Sequence, residues 1–360
     1  MKILGIETSC DDTCVSVIKD FEILANVVSS QIKVHQKWGG VYPTIARREH
    51  QKNLTTVFKK ALEKSNLLIK EKSLIEEEKI KEILLKEDVL LKKTITLLKN
   101  YKKPDIDFIA VTYGPGLDPS LWSGINFAKA LSAEWKIPII PVNHIEAHLL
   151  ISLFEIKNNK LKQKSVNFPA IGLIASGGHT QLVLVKSLGK YKTIGETRDD
   201  AAGECLDKIA RILGLKYPGG PAIAKRAKLC KNNLITLPRP MINHKNYDFS
   251  FSGLKTAVLY SKDKDSVNCM AKEAQQAVID VLLKKTLLAS KEYRAQSIIL
   301  GGGVTANEEL RKQFSKQFKC LLLPPKGAQT DNALMIAVAG HISPKTKNYA
   351  RIKSNPNLRI

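Results

Sequence analysis

The chain has 360 residues, 44% of them hydrophobic, and a formal net charge of +23. That length suits two lobes rather than one core, and no apolar run reaches the ~18 residues a membrane span needs. Such a basic surface attracts polyanions, RNA first among them, although the lysines are spread along the whole chain and no aromatic RNA-stacking signature accompanies them.

At the N-terminus, Met1-Lys2 leads straight into Ile3-Leu4-Gly5-Ile6. With no basic leader and cleavable apolar segment, no secretory signal is expected. This first predicted strand enters the polar turn Glu7 to Asp12, and the apolar run Val15 to Ile18 follows as a second strand. The six cysteines (10, 14, 205, 230, 269 and 320) contain no C-x-x-C. They are expected to be free thiols in a reducing, cytoplasmic compartment. Cys10 and Cys14 are expected as buried small apolar groups rather than ligands.

From about Lys64 to Lys103, Glu-Lys repeats such as Glu76-Glu77-Glu78-Lys79 alternate with Ile and Leu. The pattern predicts a charged amphipathic helix or helix pair, a solvated insertion with no catalytic group. Next come a strand (Phe108 to Val111), the turn Gly114-Pro115-Gly116, a helix through Ala128 to Trp135 and a strand from Ile137 to Val142.

His144-Ile145-Glu146-Ala147-His148 is the most informative stretch. On a helix its two imidazoles stand about 40° apart, on one face, which suits one metal ion. Glu146 falls roughly 180° from the midline of that pair. In H-E-x-x-H proteases the Glu adjoins the first His and poises a water; here that base is missing. Two half-buried packing histidines are the plain alternative.

A strand at Ala170 to Ile174 then enters Ser176-Gly177-Gly178-His179-Thr180, a loop whose unobstructed N–H groups can cradle a phosphate or simply close a hairpin. Asp199-Asp200-Ala201-Ala202-Gly203-Glu204 opens a helix with acids in its first turns. Tyr217-Pro218-Gly219-Gly220-Pro221 is a rigid turn before another helix. Ser297 to Leu300 is a strand, Gly301-Gly302-Gly303 a loop open to a planar group, Asn307 to Phe318 a helix and Cys320 to Leu323 a strand. Asp331, in Thr330-Asp331-Asn332, reads either as the N-cap of the apolar helix that follows or as a third metal ligand. The basic tail Pro344 to Ile360 is expected to fray.

A hairpin followed by βαβ occurs twice, which predicts an α/β chain of two related lobes with a central cleft. The lobes are expected at 1–145 and 146–360, with the last helix, about 332–342, packing back on the first. Neither G-x-G-x-x-G nor a P-loop is present. The residues alone leave a metalloprotease and a non-catalytic ATP-binding scaffold open as alternatives.

Together the motifs carry a resemblance. Gly5 to Asp11, Gly39-Gly40-Val41-Tyr42-Pro43, His144 to His148, Ser176 to Gln181, Asp199 to Glu204, Tyr217 to Pro221, Phe249 to Lys255, Gly301 to Asn307 and Thr330 to Asn332 occur in the order found in the bacterial tRNA threonylcarbamoyladenosine synthesis family (TsaD, also Gcp). The similarity spares only the insertion and the tail. It implies a two-lobed actin-like ATPase fold of the acetate- and sugar-kinase superfamily. The implied reaction moves a threonylcarbamoyl group from threonylcarbamoyl-AMP to N6 of adenosine 37 in tRNAs reading ANN codons. Metal ligands would be His144, His148 and Asp331, with iron (Fe2+) the usual ion and zinc its substitute. The adenylate would lie against Ile174, Ala175, Ser176, Gly177, Gly178, Asp207, Gly220 and Asn307. No catalytic base is selected, Asp11 and Asp12 being weak candidates beside Glu7. Family partners would be tRNA, an inactive paralogue of the same fold and a small P-loop ATPase. Two departures are small: the family's common His-Met-Glu-Gly-His is His-Ile-Glu-Ala-His here, and the acid pair after Cys10 is Asp-Asp where Asp-Glu is frequent.

Overall fold

The computed structural model describes residues 1–232, 234–261 and 266–360. The chain begins with β1 (Lys2–Glu7), β2 (Asp12–Lys19), β3 (Glu22–Ser30), α1 (Ile32–His35), α2 (Pro43–Lys64), α3 (Glu77–Ile83) and α4 (Asp88–Asn100). β4 (Phe108–Gly114), α5 (Asp118–Trp135), β5 (Ile139–Asn143), α6 (His144–Ile151), β6 (Phe154–Lys157) and β7 (Lys160–Gln163) follow. Next are β8 (Ala170–Ala175), β9 (Thr180–Ser187), β10 (Lys190–Glu196), α7 (Ala202–Ile212), α8 (Gly219–Ala227), α9 (Ser252–Ser261) and α10 (Val267–Glu292). The chain closes with β11 (Ser297–Gly301), α11 (Glu308–Gln317), β12 (Leu321–Leu322) and α12 (Ala333–Ile342). Two compact units result. One holds Met1–Lys33, Val41–Gln163 and Asp331–Arg359; the other holds Val34–Gly40, Lys164–Thr330 and Ile360.

The first unit contains a seven-stranded sheet in the order β5-β4-β1-β2-β3-β7-β6. β1 is internal, parallel to β4 and antiparallel to β2, so its apolar run is covered on both faces. α12 packs on β1, β2 and α6. Ala333 to Gly340 are all buried, as expected of a helix that is apolar on every side. Close packing depends on Gly5, where a Cβ would stand 2.3 Å from the Ala333 carbonyl oxygen. The absent side chain thus lets the start of α12, and Asp331 just before it, approach the end of β1.

Two expectations need correction in this unit. The 64–103 stretch does form a helix pair, α3 and α4, but it is not merely solvated. Ile80, Leu84, Leu90, Leu97 and Leu98 join the core with Phe58 and Leu131. Buried Glu87 accepts from Gln51 Nε2 (2.5 Å) and Ser123 Oγ (3.3 Å). Leucine and isoleucine at helical spacing supply an apolar face, and the Glu-Lys repeats occupy the other. The tail does not fray either. Ile352 is buried in the core, Asn355 N donates to the Tyr113 carbonyl (2.8 Å) and Gly116 N donates to the Pro356 carbonyl (3.3 Å).

The second unit has a five-stranded sheet in the order β10-β9-β8-β11-β12. This repeats the β3-β2-β1-β4-β5 order of the first unit: an antiparallel hairpin on one side of the central strand, parallel strands on the other. The duplication read from the sequence is therefore real. Its core joins Leu173, Leu206, Phe249, Val278 and Phe314, among others. Here the cysteine expectation is corrected: Cys230 and Cys269, 39 residues apart, form a disulfide, whereas Cys10, Cys14, Cys205 and Cys320 are free. Spacing cannot reveal a bond between cysteines brought together by tertiary packing. No helix among the described residues is long and apolar enough to cross a membrane.

Candidate functional site

β5 ends at Asn143, whose Oδ1 accepts from Ile145 N (2.9 Å) and Glu146 N (3.2 Å) and so caps α6. The cap starts the helix at His144, and the four-residue spacing then sets His144 and His148 together, ring centroids 4.6 Å apart. Both rings are buried, with side-chain exposures of 5% and 1%.

Asp331 Oδ1 faces both imidazoles, 3.1 Å from His148 Nε2 and 3.6 Å from His144 Nε2. The N-cap reading of Asp331 is not what the structure has: the Asn332 side chain accepts from Met335 N (3.0 Å). Among the described residues, His144, His148 and Asp331 form the one group of three or more His, Cys, Asp or Glu whose ligand atoms converge, all within 4.8 Å of one another. Two imidazole nitrogens and one carboxylate form a donor set that suits iron or zinc. Glu146 is not in the group.

Behind His144 lies Glu7, fully buried at the end of β1. Its Oε2 is 3.0 Å from His144 Nδ1 and accepts from Thr112 Oγ1 (2.7 Å), while Oε1 accepts from Ser9 N (2.5 Å). Burial alone would raise the Glu7 pKa, but the adjacent His144 outweighs it and the net shift is downward. Burial would likewise lower that of His144, yet the carboxylates of Glu7 and Asp331 push it up to about 9. His148 is lowered, by burial first and by its charged neighbour His144. The pair Glu7–His144 is therefore ionised at neutral pH, and His148 is neutral.

Burial, with nearby Asp11 and Asp12, pushes the thiols of Cys10 and Cys14 up. Both stay protonated and neither joins the ligand group. Asp12, raised to about 7 by burial and by Asp11, is a carboxyl of the polar turn poised near neutrality.

In the second unit, Ile174 and Ala175 are buried at the end of β8. Ser176 N donates to the His179 carbonyl (2.8 Å) and His179 N to Ser176 Oγ (3.1 Å), closing a tight turn. A Cβ on Gly177 or Gly178 would meet nothing within 4 Å, so their backbone faces open space. Two other glycines press on this turn. A Cβ on Gly203 would lie 2.6 Å from the Ser176 carbonyl, and one on Gly302, at φ +88°, 2.5 Å from that of Ala175. Asp207 Oδ1 accepts from Gly219 N (2.6 Å), beside the unobstructed Gly220. Asn307 caps α11 through Leu310 N (3.0 Å) and donates Nδ2 to Gln275 Oε1 (2.8 Å). Asp199 and Asp200 are engaged structurally: Asp199 accepts from Phe251 N (2.8 Å), and Asp200 pairs with Lys208 (2.6 Å).

A family profile described as tRNA N6-adenosine threonylcarbamoyltransferase (TsaD) matches residues 22–75 and 88–338. The protein of that name from Thermosipho africanus is 44% identical over the full length of both chains. The one from Bacillus subtilis is 42% identical, covering 95% of this chain and 90% of its own. The chain belongs to this family. As a threonylcarbamoyltransferase family member it is a transferase, and neither the metalloprotease nor the scaffold reading finds support. The only internal gap in the profile match, 76–87, is much shorter than the expected 64–103 insertion.

Solved structures share the fold. An Acidaminococcus fermentans (R)-2-hydroxyglutaryl-CoA dehydratase component A superposes with a TM-score of 0.52 at 13% identity, covering 98% of this chain and 99% of its own. HypF from T. kodakarensis gives 0.54 at 15% identity, covering 95% of this chain and 47% of its own. These likenesses show a shared fold.

Thr112, Ser9, Asn143 and Gln275 are the site residues that sequence reading missed. Thr112, Ser9 and Gln275 support named residues from distant parts of the chain, whereas Asn143 caps the helix that starts at the next residue; only the parallel pairing of β1 with β4 would have hinted at Thr112.

Proposed function

We propose that this transferase moves a threonylcarbamoyl group from threonylcarbamoyl-AMP to N6 of adenosine 37 in tRNAs reading ANN codons. The observation carrying the site assignment is the convergence of His144 Nε2, His148 Nε2 and Asp331 Oδ1 in a member of this family. These three would hold one iron ion. What the ion supplies when bound is Lewis acidity and a fixed seat for the threonyl-carbonyl end of the donor.

The exposed backbone of Gly177 and Gly178, in the turn that Ser176 closes on His179, binds the adenylate phosphate and favours the departure of AMP. Ile174 and Ala175 form the apolar floor of that loop. Asp207, Gly220 and Asn307 seat the ribose and adenine. The N6 amine attacks the carbamoyl carbonyl carbon; a C–N bond forms, the C–O bond to phosphate breaks, AMP leaves and the amine loses a proton. Because the donor is a mixed anhydride, the chain's task is mainly orientation. Asp12, with its pKa near 7, is the acceptor we favour for that proton. The acceptor base lies in an anticodon loop and is already unpaired. Exposed members of the 57 lysines and arginines contact tRNA phosphates, so transfer falls with salt.

We read the protein as cytoplasmic, working with an inactive paralogue of the same fold and a small P-loop ATPase. The test supplies these helpers, labelled threonylcarbamoyl-AMP and tRNA lacking the modification. Label in the tRNA is expected with the natural chain and not with His144→Ala. No transfer by the natural chain overturns the reaction; undiminished transfer by folded His144→Ala overturns the metal assignment.

A further inference from the structure

Glu7 has a carboxylate that no solvent reaches, at the end of an internal strand, and three donors converge on it. Thr112 Oγ1 and His144 Nδ1 approach Oε2 at 2.7 and 3.0 Å, and Ser9 N approaches Oε1 at 2.5 Å. A buried carboxylate is costly unless it is paired in this way. The strands also fix it in place, since β1 and β4 run side by side through Ile6 and Val111, the residues preceding Glu7 and Thr112.

We propose that Glu7 is a positioning residue for His144, holding the Nδ1 proton so that Nε2 alone is left to bind a metal ion. The inference rests on the metal reading above. An imidazole has two nitrogens, and only a partner on one of them decides which is the ligand. Here the carboxylate lies on the Nδ1 side and Asp331 on the Nε2 side, 3.6 Å away. Ser9 Oγ, 3.3 Å from Nδ1, adds a second polar contact on the Glu7 side. The ring is thus held between two carboxylates, one bound to the sheet and the other in the ligand group. Glu7 never touches the substrate in this role. A purely structural Glu7 would instead matter for folding and leave metal affinity per folded molecule unchanged.

The test uses the full chain freed of metal by a chelator, then titrated with zinc(II) against a chromophoric competitor at fixed pH. Circular dichroism reports the folded fraction. Glu7→Gln keeps the shape but turns an N–H2 towards one of three donors. It is expected to weaken zinc binding about 10–100-fold in the folded protein and to move the visible bands of the cobalt(II)-substituted form. Thr112→Val, which removes one donor that steadies the carboxylate, is expected to weaken binding several-fold. Natural affinity in folded Glu7→Gln overturns the proposal. Should that variant not fold, natural affinity in Thr112→Val overturns it equally. Failure of the metal reading looks different: the natural chain itself does not bind zinc, and His144→Ala changes nothing.

Discussion

The side-chain amide of Asn143 donates to the main-chain carbonyl of Arg359, 3.1 Å away and 216 residues later in the chain. The same side chain caps α6 through its oxygen, so the C-terminal segment is tied to the start of the helix that carries both histidines. Removing residues 344–360 exposes the Ile352 contact surface and frees Asn143. Ile352→Ala alone is expected to cost about 2–4 kcal/mol, and Asn143→Ala about 1 kcal/mol for the lost cap. Urea unfolding of the metal-free chain measures both. Truncation is expected to lower metal affinity as well as stability; unchanged affinity would mean that the tail does not steady α6.

Neighbouring residues at the start of α12 should separate cleanly. Asp331→Asn is expected to abolish stoichiometric metal binding and transfer with little loss of stability. Asn332→Ala is expected to keep the metal and lose about 1 kcal/mol with the helix cap. Metal analysis and thermal unfolding of the two variants check this, and the reverse pattern would return the cap to Asp331.

The pH dependence follows from His144, raised from its usual 6.5 to about 9. A group whose pKa is raised on folding contributes stability fully present below its unfolded value and lost as pH rises through its folded one. The metal-free chain should therefore be stabilised by His144 below about pH 6.5 and lose that contribution, on the order of 3 kcal/mol, towards pH 9. Melting temperatures across this window should fall in the natural chain and stay flatter in His144→Ala. Metal binding must displace the same proton, so zinc affinity should rise up to about tenfold per pH unit between 7 and 9.

Four glycines near Ser176 should behave as two classes. Gly203→Ala and Gly302→Ala place a Cβ against the backbone of Ser176 and Ala175, and Gly302 also sits at positive φ. Each is expected to cost about 1–3 kcal/mol and to weaken AMP binding. Gly177→Ala and Gly178→Ala meet nothing and are expected to leave stability unchanged while lowering AMP affinity. Calorimetry with AMP tests both; equal stability losses in all four would show that the loop is not open on its outer side.

Much of this was legible in the sequence because it is local. The hairpin-plus-βαβ repeat follows from strand alternation and glycine turns, and the histidine pair from helical spacing. What stayed hidden depends on pairs far apart in the chain: Glu7 with His144, Asn143 with Arg359, Cys230 with Cys269. The tail looked loose because it is basic and poor in large apolar residues, but one buried isoleucine and a few main-chain hydrogen bonds hold it. The charged insertion looked solvated because Glu and Lys dominate its composition, while its leucine face was already in the pattern.

Asp331 opens the final segment of the first unit, after the whole of 164–330 has been made. A ribosome that has released 330 residues therefore presents two histidines without their carboxylate, and a β1 surface without the helix that Gly5 is shaped to receive. Until Asp331 and α12 emerge, the nascent chain holds no complete ion trap and exposes apolar strand surface. Premature termination before Asp331 should thus yield an aggregation-prone polypeptide, not a partly active enzyme.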